Sequence, residues 1–202
     1  MTAGEGTNSQ YKLNETAGQI SPGLYSGTNY TVKAGFQYVG PTKVTFSFTI
    51  SQNLMDFGTI TPTNPVTRTT DLTVSSDSSG FTVTASENQP LKSSNSTIPD
   101  TTCDSGDCNP TRATQWSGVL TYGFGYRCDD LEGTNCSSDF SGANDSSFYK
   151  PFPLSPTTQT IMSSAKGGIA QKSRITYKVN VSSSQPTGIY TNVVTYIANP
   201  GF

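Results

Sequence analysis

Apolar and polar residues alternate along most of this chain with a period of two. In KVTFSFTIS (43–51), Val44, Phe46, Phe48 and Ile50 share one side, and Lys43, Thr45, Ser47, Thr49 and Ser51 share the other. Side chains on an extended backbone point alternately to opposite faces, so this pattern predicts a strand with one dry face. The alternation returns in VTRTTDLTV (66–74), GFTVTAS (80–86), LTYGFGY (120–126) and RITYKVNVS (174–182). GIYTNVVTYIA (188–198) differs. It sets Ile189, Val193 and Ile197 against Tyr190, Val194 and Tyr196, so both faces are apolar. Such a strand is expected to be covered on both sides, or to sit at a sheet centre. NYTVKAGFQYV (29–39) and TQTIM (158–162) are further strand candidates.

Between the runs lie VGPT, TPTNP, SSDSSG and SSQPTG. Proline presets φ and glycine admits φ > 0, so these clusters read as turns. No segment keeps a helical period of 3.6. The expected fold is all-β, an antiparallel Ig-like β-sandwich with a long insertion over about 87–157. Residues 1–28 read as an N-terminal extension or first strand, and 29–202 as a single domain. The extension is polar and glycine-rich, and one expectation is that it adds a strand to a neighbouring copy.

Two stretches resemble known families. LMDFGTITPTNPVTRTTDLTV (54–74), through Phe57, Gly58 and Thr59, looks like the opening of Ig-like surface modules. PTGIYTNVVTYIANP (186–200), with Gly188 and Tyr190 at its start, resembles the closing strand of secreted bacterial Ig-like and pilin-like domains. The resemblance implies a structural or adhesive cell-surface protein whose partners are copies of itself or other surface components. In Gram-positive pilin-like domains it also implies an internal Lys–Asn amide, for which Lys33 or Lys43 with Asn180 or Asn192 are the candidates.

Composition narrows the function. Only 13% of the residues are charged and the net charge is −2, which argues against a nucleic-acid footprint. No apolar run approaches the length of a membrane span. The opening MTAGEGTNSQ lacks the basic-then-apolar character of a secretory signal, so a mature chain is expected. Histidine is absent, which removes a Ser-His-Asp triad, a Cys-His dyad and an HExxH zinc site. The chain is therefore expected not to be an enzyme.

Four cysteines stand in CDSGDC (103–108) and CDDLEGTNC (128–136). The spacings fit neither a zinc knuckle nor a thioredoxin motif. Disulfides are expected, and they place the chain in an oxidising compartment, secreted or at the cell surface. Four cysteines allow three pairings. The local one, Cys103–Cys108 with Cys128–Cys136, is preferred.

The insertion is acidic. Residues 100–145 hold eight acids and two basic residues. One expectation is a solvated, stapled loop. A second is calcium held by Asp104, Asp107, Asp129, Asp130 and Glu132; otherwise no cofactor is expected. A third is a carbohydrate-binding surface, with Trp116, Tyr126 or Tyr149 stacking on a sugar ring. A glycoside hydrolase would set two carboxylates, such as Asp129 and Glu132, across a cleft. Six Asn-x-Ser/Thr sites begin at Asn14, Asn29, Asn95, Asn135, Asn144 and Asn180.

Overall fold

The computed structural model describes residues 2–7, 12–17, 23–28, 31–34, 45–77, 80–133, 135–140 and 147–201. The chain divides into two units, Met1–Lys43 and Val44–Phe202. In the first unit β1 (Thr2–Thr7) pairs with β2 (Lys12–Ala17), and β3 (Gly23–Ser26) pairs with β4 (Thr31–Ala34). Both ladders are two-stranded and antiparallel.

The second unit contains β5 (Phe46–Ile50), β6 (Val66–Ser76), β7 (Phe81–Glu87), β8 (Thr114–Gln115), β9 (Gly123–Glu132), β10 (Phe148–Tyr149), β11 (Gln159–Ser164), β12 (Gly168–Asn180) and β13 (Val194–Pro200). A 3-10 turn, Ser138–Phe140, follows β9. One sheet has the order β5-β6-β12-β9 and a second the order β11-β7-β13; β8 and β10 form a short pair of their own. Every ladder among the described residues is antiparallel, and the protein is all-β.

Alternation explains the packing. Leu72 and Val74 from β6, Phe81, Val83 and Ala85 from β7, and Ile175, Tyr177 and Val179 from β12 belong to one buried cluster. The two sheets thus share a core. Each aliphatic side chain so buried contributes about 1.5–3 kcal/mol relative to exposure. Aromatics fill the part of the core next to β9: Phe152 stacks on Tyr126 with ring centroids 3.9 Å apart, and Phe124 lies parallel to Tyr177 at 6.3 Å. Met162 and Ile161 of β11 are fully buried on the same side, because residues 135–137, just beyond β9, bond to β11 through Ser163 N to Asn135 O (2.7 Å) and Ser137 N to Ile161 O (3.2 Å).

The segment 87–157 is more than an ornament, because it supplies β9 to the four-stranded sheet. This strand begins at Gly123 and runs on through Cys128, past the end read from the alternation at 126. In GFGY, Phe124 and Tyr126 enter the core while the glycines leave room for backbone. A Cβ on Gly123 would stand 2.7 Å from Thr101 N, and one on Gly125 would stand 2.9 Å from Lys150 O. Gly123 also takes φ +128°, which favours glycine. The chain enters and leaves the insertion along this edge: Thr101 N donates to Phe124 O, and Tyr126 and Lys150 exchange both backbone hydrogen bonds.

The run at 188–198 departs from its reading. Its ladder covers only 194–200, and β13 lies at the edge of its sheet among the described residues, with no neighbour beyond it. Ile189, Val193 and Ile197 are exposed.

Candidate functional site

Both disulfides are local. Cys103 bonds Cys108 with Cα atoms 5.6 Å apart, and Cys128 bonds Cys136 at 5.7 Å. The preferred pairing of the three open to four cysteines is the one formed. In CDSGDC, Gly106 N donates back to Cys103 O (3.2 Å) and Gly106 takes φ +76°, closing the tight loop.

The loop aims Asp104 at a second turn. Its carboxylate accepts hydrogen bonds from Ser117 N (2.7 Å), Gly118 N (3.0 Å) and Thr121 Oγ1 (2.6 Å). Burial works against the charge, but these donors win and hold Asp104 below the usual carboxylate range. The clamped turn carries Trp116. This ring is fully buried, meets Tyr149 edge-on at 5.6 Å, and donates Nε1–H to Thr121 O (3.1 Å).

Under this roof lies Lys178 of β12. Its ammonium donates to Trp116 O (2.6 Å) and sits 4.6 Å from the Trp116 ring and 5.1 Å from the Tyr149 ring. Burial pulls its pKa down, and the charge of Asp104 pulls the other way. Asn180, two residues on and so on the same face, donates Nδ2–H to Val119 O (3.0 Å) and Thr121 O (2.7 Å). The polar face of β12 therefore anchors the insertion by satisfying its carbonyl groups. A cation held over two aromatic faces contributes up to about 2 kcal/mol when desolvated.

This placement corrects the sugar-stacking expectation. Trp116, Tyr126 and Tyr149 are 0%, 0% and 6% exposed. A sugar ring needs an open aromatic face, and these three are spent on packing. The five acids named for calcium are not brought together; among the described residues no group of three or more acidic or cysteine side chains converges. Asp104 clamps its turn. Asp107 pairs with Arg112 (2.6 Å) and bonds Ser105. Asp129 pairs with Arg127. Asp130 Oδ1 accepts from Asn135 N (2.7 Å) and Cys136 N (2.8 Å), holding the second disulfide loop. Glu132 is exposed, in register with Lys172. Asp129 and Asp130 line a groove of about 370 Å³, with Arg127, Cys128, Cys136, Ser137, Ser138 and Phe140.

The carboxylate pair that the fold does assemble was not anticipated. Glu87, the last residue of β7, is 0% exposed. It accepts from Asn192 Nδ2 (2.7 Å), and the Asp100 carboxyl lies beside it. Burial, then the charge of Asp100, push the Glu87 carboxyl up to about 9; burial also raises Asp100. Glu87 therefore keeps its proton at neutral pH beside Asp100. A signal was present: Phe81, Val83, Ala85 and Glu87 occupy one face, so the alternation aims a carboxyl into the core. Glu87 is fully buried, whereas Asp100 is half-buried. Of the Lys–Asn amide candidates, Asn180 and Asn192 hydrogen-bond as above, and the side chains of Lys33 and Lys43 lie outside the described residues. Among the Asn-x-Ser/Thr sites, Asn135 and Asn180 are buried and Asn95 is exposed; Asn14, Asn29 and Asn144 also fall outside the described side chains.

No family model matches the chain, and neither does any curated protein or solved structure.

Proposed function

We propose that this chain is an extracellular structural or adhesive module of a cell surface, built as an Ig-like β-sandwich and joined to its neighbours by strand addition. One observation carries the reading: β5 and β13 are uncharged strands, each hydrogen-bonded on one side only among the described residues. Exposed strand edges template pairing with another chain, and proteins that remain single blunt them with charge or cover. The two disulfides support the location, since such bonds persist in oxidising surroundings. No helix among the described residues is long and apolar enough to cross a membrane. The stapled insertion supports a mechanical role, because its charges and rings are used to fix it onto the sheet.

Antibody labelling of intact cells of the source organism, with thiol titration of the native protein under denaturing conditions, tests the reading. Label on unpermeabilised cells and no free thiol is the expected result. Label only after permeabilisation, with four titratable thiols, refutes it.

A further inference from the structure

Among the described residues, two buried carboxyl oxygens have no hydrogen-bond partner, and they belong to one pair. Glu87 Oε1 and Asp100 Oδ1 are both shut from water, yet neither receives a donor. Buried polar atoms are nearly always satisfied, and an orphan calls for a cause such as an ion. Here the two orphans sit on neighbouring carboxyls, which repel each other when charged. Neither carboxyl forms an ion pair with a lysine or arginine among the described residues.

The surroundings are built to hold these groups in place. Three segments deliver three oxygen-bearing side chains, and backbone hydrogen bonds fix each segment. Glu87 N donates to Pro153 O (2.9 Å), and Ser155 N donates to Glu87 O (2.8 Å). Asp100 stands between Pro99, whose O accepts from Phe124 N (2.9 Å), and Thr101, whose N donates to Phe124 O (2.8 Å). Asn192 stands between Thr191 N, which donates to Lys92 O (2.9 Å), and Val193 N, which donates to Asn88 Oδ1 (2.8 Å). Asn192 Nδ2 donates to Glu87 Oε2 (2.7 Å). Turned about its last torsion, the same amide offers its oxygen there instead. Glu87 is sealed, whereas Asp100 and Asn192 are half-buried, so the pair is reached from their side.

The donors select the ligand. Two carboxylates and an amide are hard oxygen donors. The chain has no histidine, and both cysteine pairs are disulfides, so no softer ligand competes. This chemistry suits calcium or magnesium rather than zinc or copper. Magnesium demands a nearly ideal octahedron and keeps most of its water, whereas calcium accepts about six to eight oxygens in flexible geometry. A mixed set that leaves one side to water fits calcium better.

We propose that Glu87, Asp100 and Asn192 form a calcium site, which ties the end of β7 to the segments around residues 100 and 192. The ion takes the place of the Glu87 proton, which passes to solvent, and its charge offsets both carboxylates. With two charged ligands the affinity falls in the range of extracellular modules, a Kd of about 0.1–1 mM.

The test uses the full chain, stripped of metal with a chelator and dialysed. It is titrated with calcium chloride by calorimetry, with magnesium chloride for comparison, and melted with and without about 10 mM calcium. One calcium per chain and a rise in melting temperature of roughly 3–10 °C are expected. Glu87→Gln and Asp100→Asn are each expected to weaken binding about tenfold or more and to erase the rise. Asp107→Asn, at an exposed acid elsewhere in the same insertion, is expected to bind as the wild type does. Circular dichroism checks that each variant folds. If Glu87→Gln does not, Asp100→Asn decides, since that residue is only half-buried. No binding at about 10 mM calcium overturns the proposal. So does binding that survives Glu87→Gln or Asp100→Asn, binding lost in Asp107→Asn, or magnesium held as tightly as calcium.

Discussion

Glu87→Gln is the sharpest perturbation the structure offers. In the folded chain the Glu87 carboxyl keeps its proton up to about 9, chiefly because it is buried, with Asp100 beside it. In the unfolded chain it releases the proton at its ordinary value of 4.5. Between these limits the folded state binds one proton more than the unfolded state, so stability falls as pH rises. The contribution is whole below the unfolded value and is lost progressively up to the folded one. At pH 7 the cost is on the order of 3 kcal/mol. Glutamine keeps the shape and can donate to Asp100 while accepting from Asn192, so position 87 no longer titrates.

Thermal melts of the wild type and the Glu87→Gln variant, at constant ionic strength from about pH 5 to about pH 9, measure this. The wild type is expected to lose melting temperature across the range. The variant is expected to hold nearly level, leading at neutral pH by roughly 6–12 °C for a unit of this size. Asp71, Asp104 and Asp139 lie below their ordinary range and cost stability only at lower pH. Lys178 is present in both proteins, so its opposite shift cancels in the difference. Two profiles running parallel, or a variant destabilised equally at every pH, would refute the reasoning, because a merely packed Glu87 predicts a constant offset.

Other perturbations have equally definite outcomes. Replacing Cys128 and Cys136 together by serine opens a loop of sequence separation 8 and is expected to cost about 2–3 kcal/mol, read as a lower denaturant midpoint at unchanged slope; an unchanged midpoint refutes it. Asp104→Ala leaves Ser117 N, Gly118 N and Thr121 Oγ1 without their acceptor and frees the turn that roofs Trp116. A loss of about 1–2 kcal/mol and red-shifted tryptophan emission are expected; unshifted emission shows that the turn stands without the clamp. Gly123→Ala drives a Cβ to 2.7 Å from Thr101 N at φ +128° and is expected to cost about 3 kcal/mol or more by chemical denaturation.

Legibility in the sequence followed the reach of each signal. Strands β5, β6, β7 and β12 stood out because a period of two is local, as did the all-β class. The cysteine pairs were legible because each closes a short loop. Glu87 with Asp100 was harder: the first carboxyl was aimed inward by its own strand, but the second arrives from a loop, and only the fold shows that they meet. The rings of Trp116, Tyr126 and Tyr149 were misplaced for a similar reason. An aromatic in a polar, acidic insertion reads as exposed until the turn held by Asp104 packs it against Tyr149 and Lys178.

Alternation separates two faces of a strand without saying which of them meets water. On β12 the face of Lys178 and Asn180 reads as wet, yet both residues are buried, at 7% and 0% exposed. They tolerate this because the carbonyls of Trp116, Val119 and Thr121 accept their hydrogens, so the polar face found its cover within the chain. In the run 188–198 that leads into β13, the face of Ile189, Val193 and Ile197 reads as dry, yet it is open. The rule that governs both cases is that a face takes the environment its neighbours supply. For β12 the neighbour is the stapled insertion. For β13 no described residue of the same chain supplies one, and its apolar side chains stay open to water.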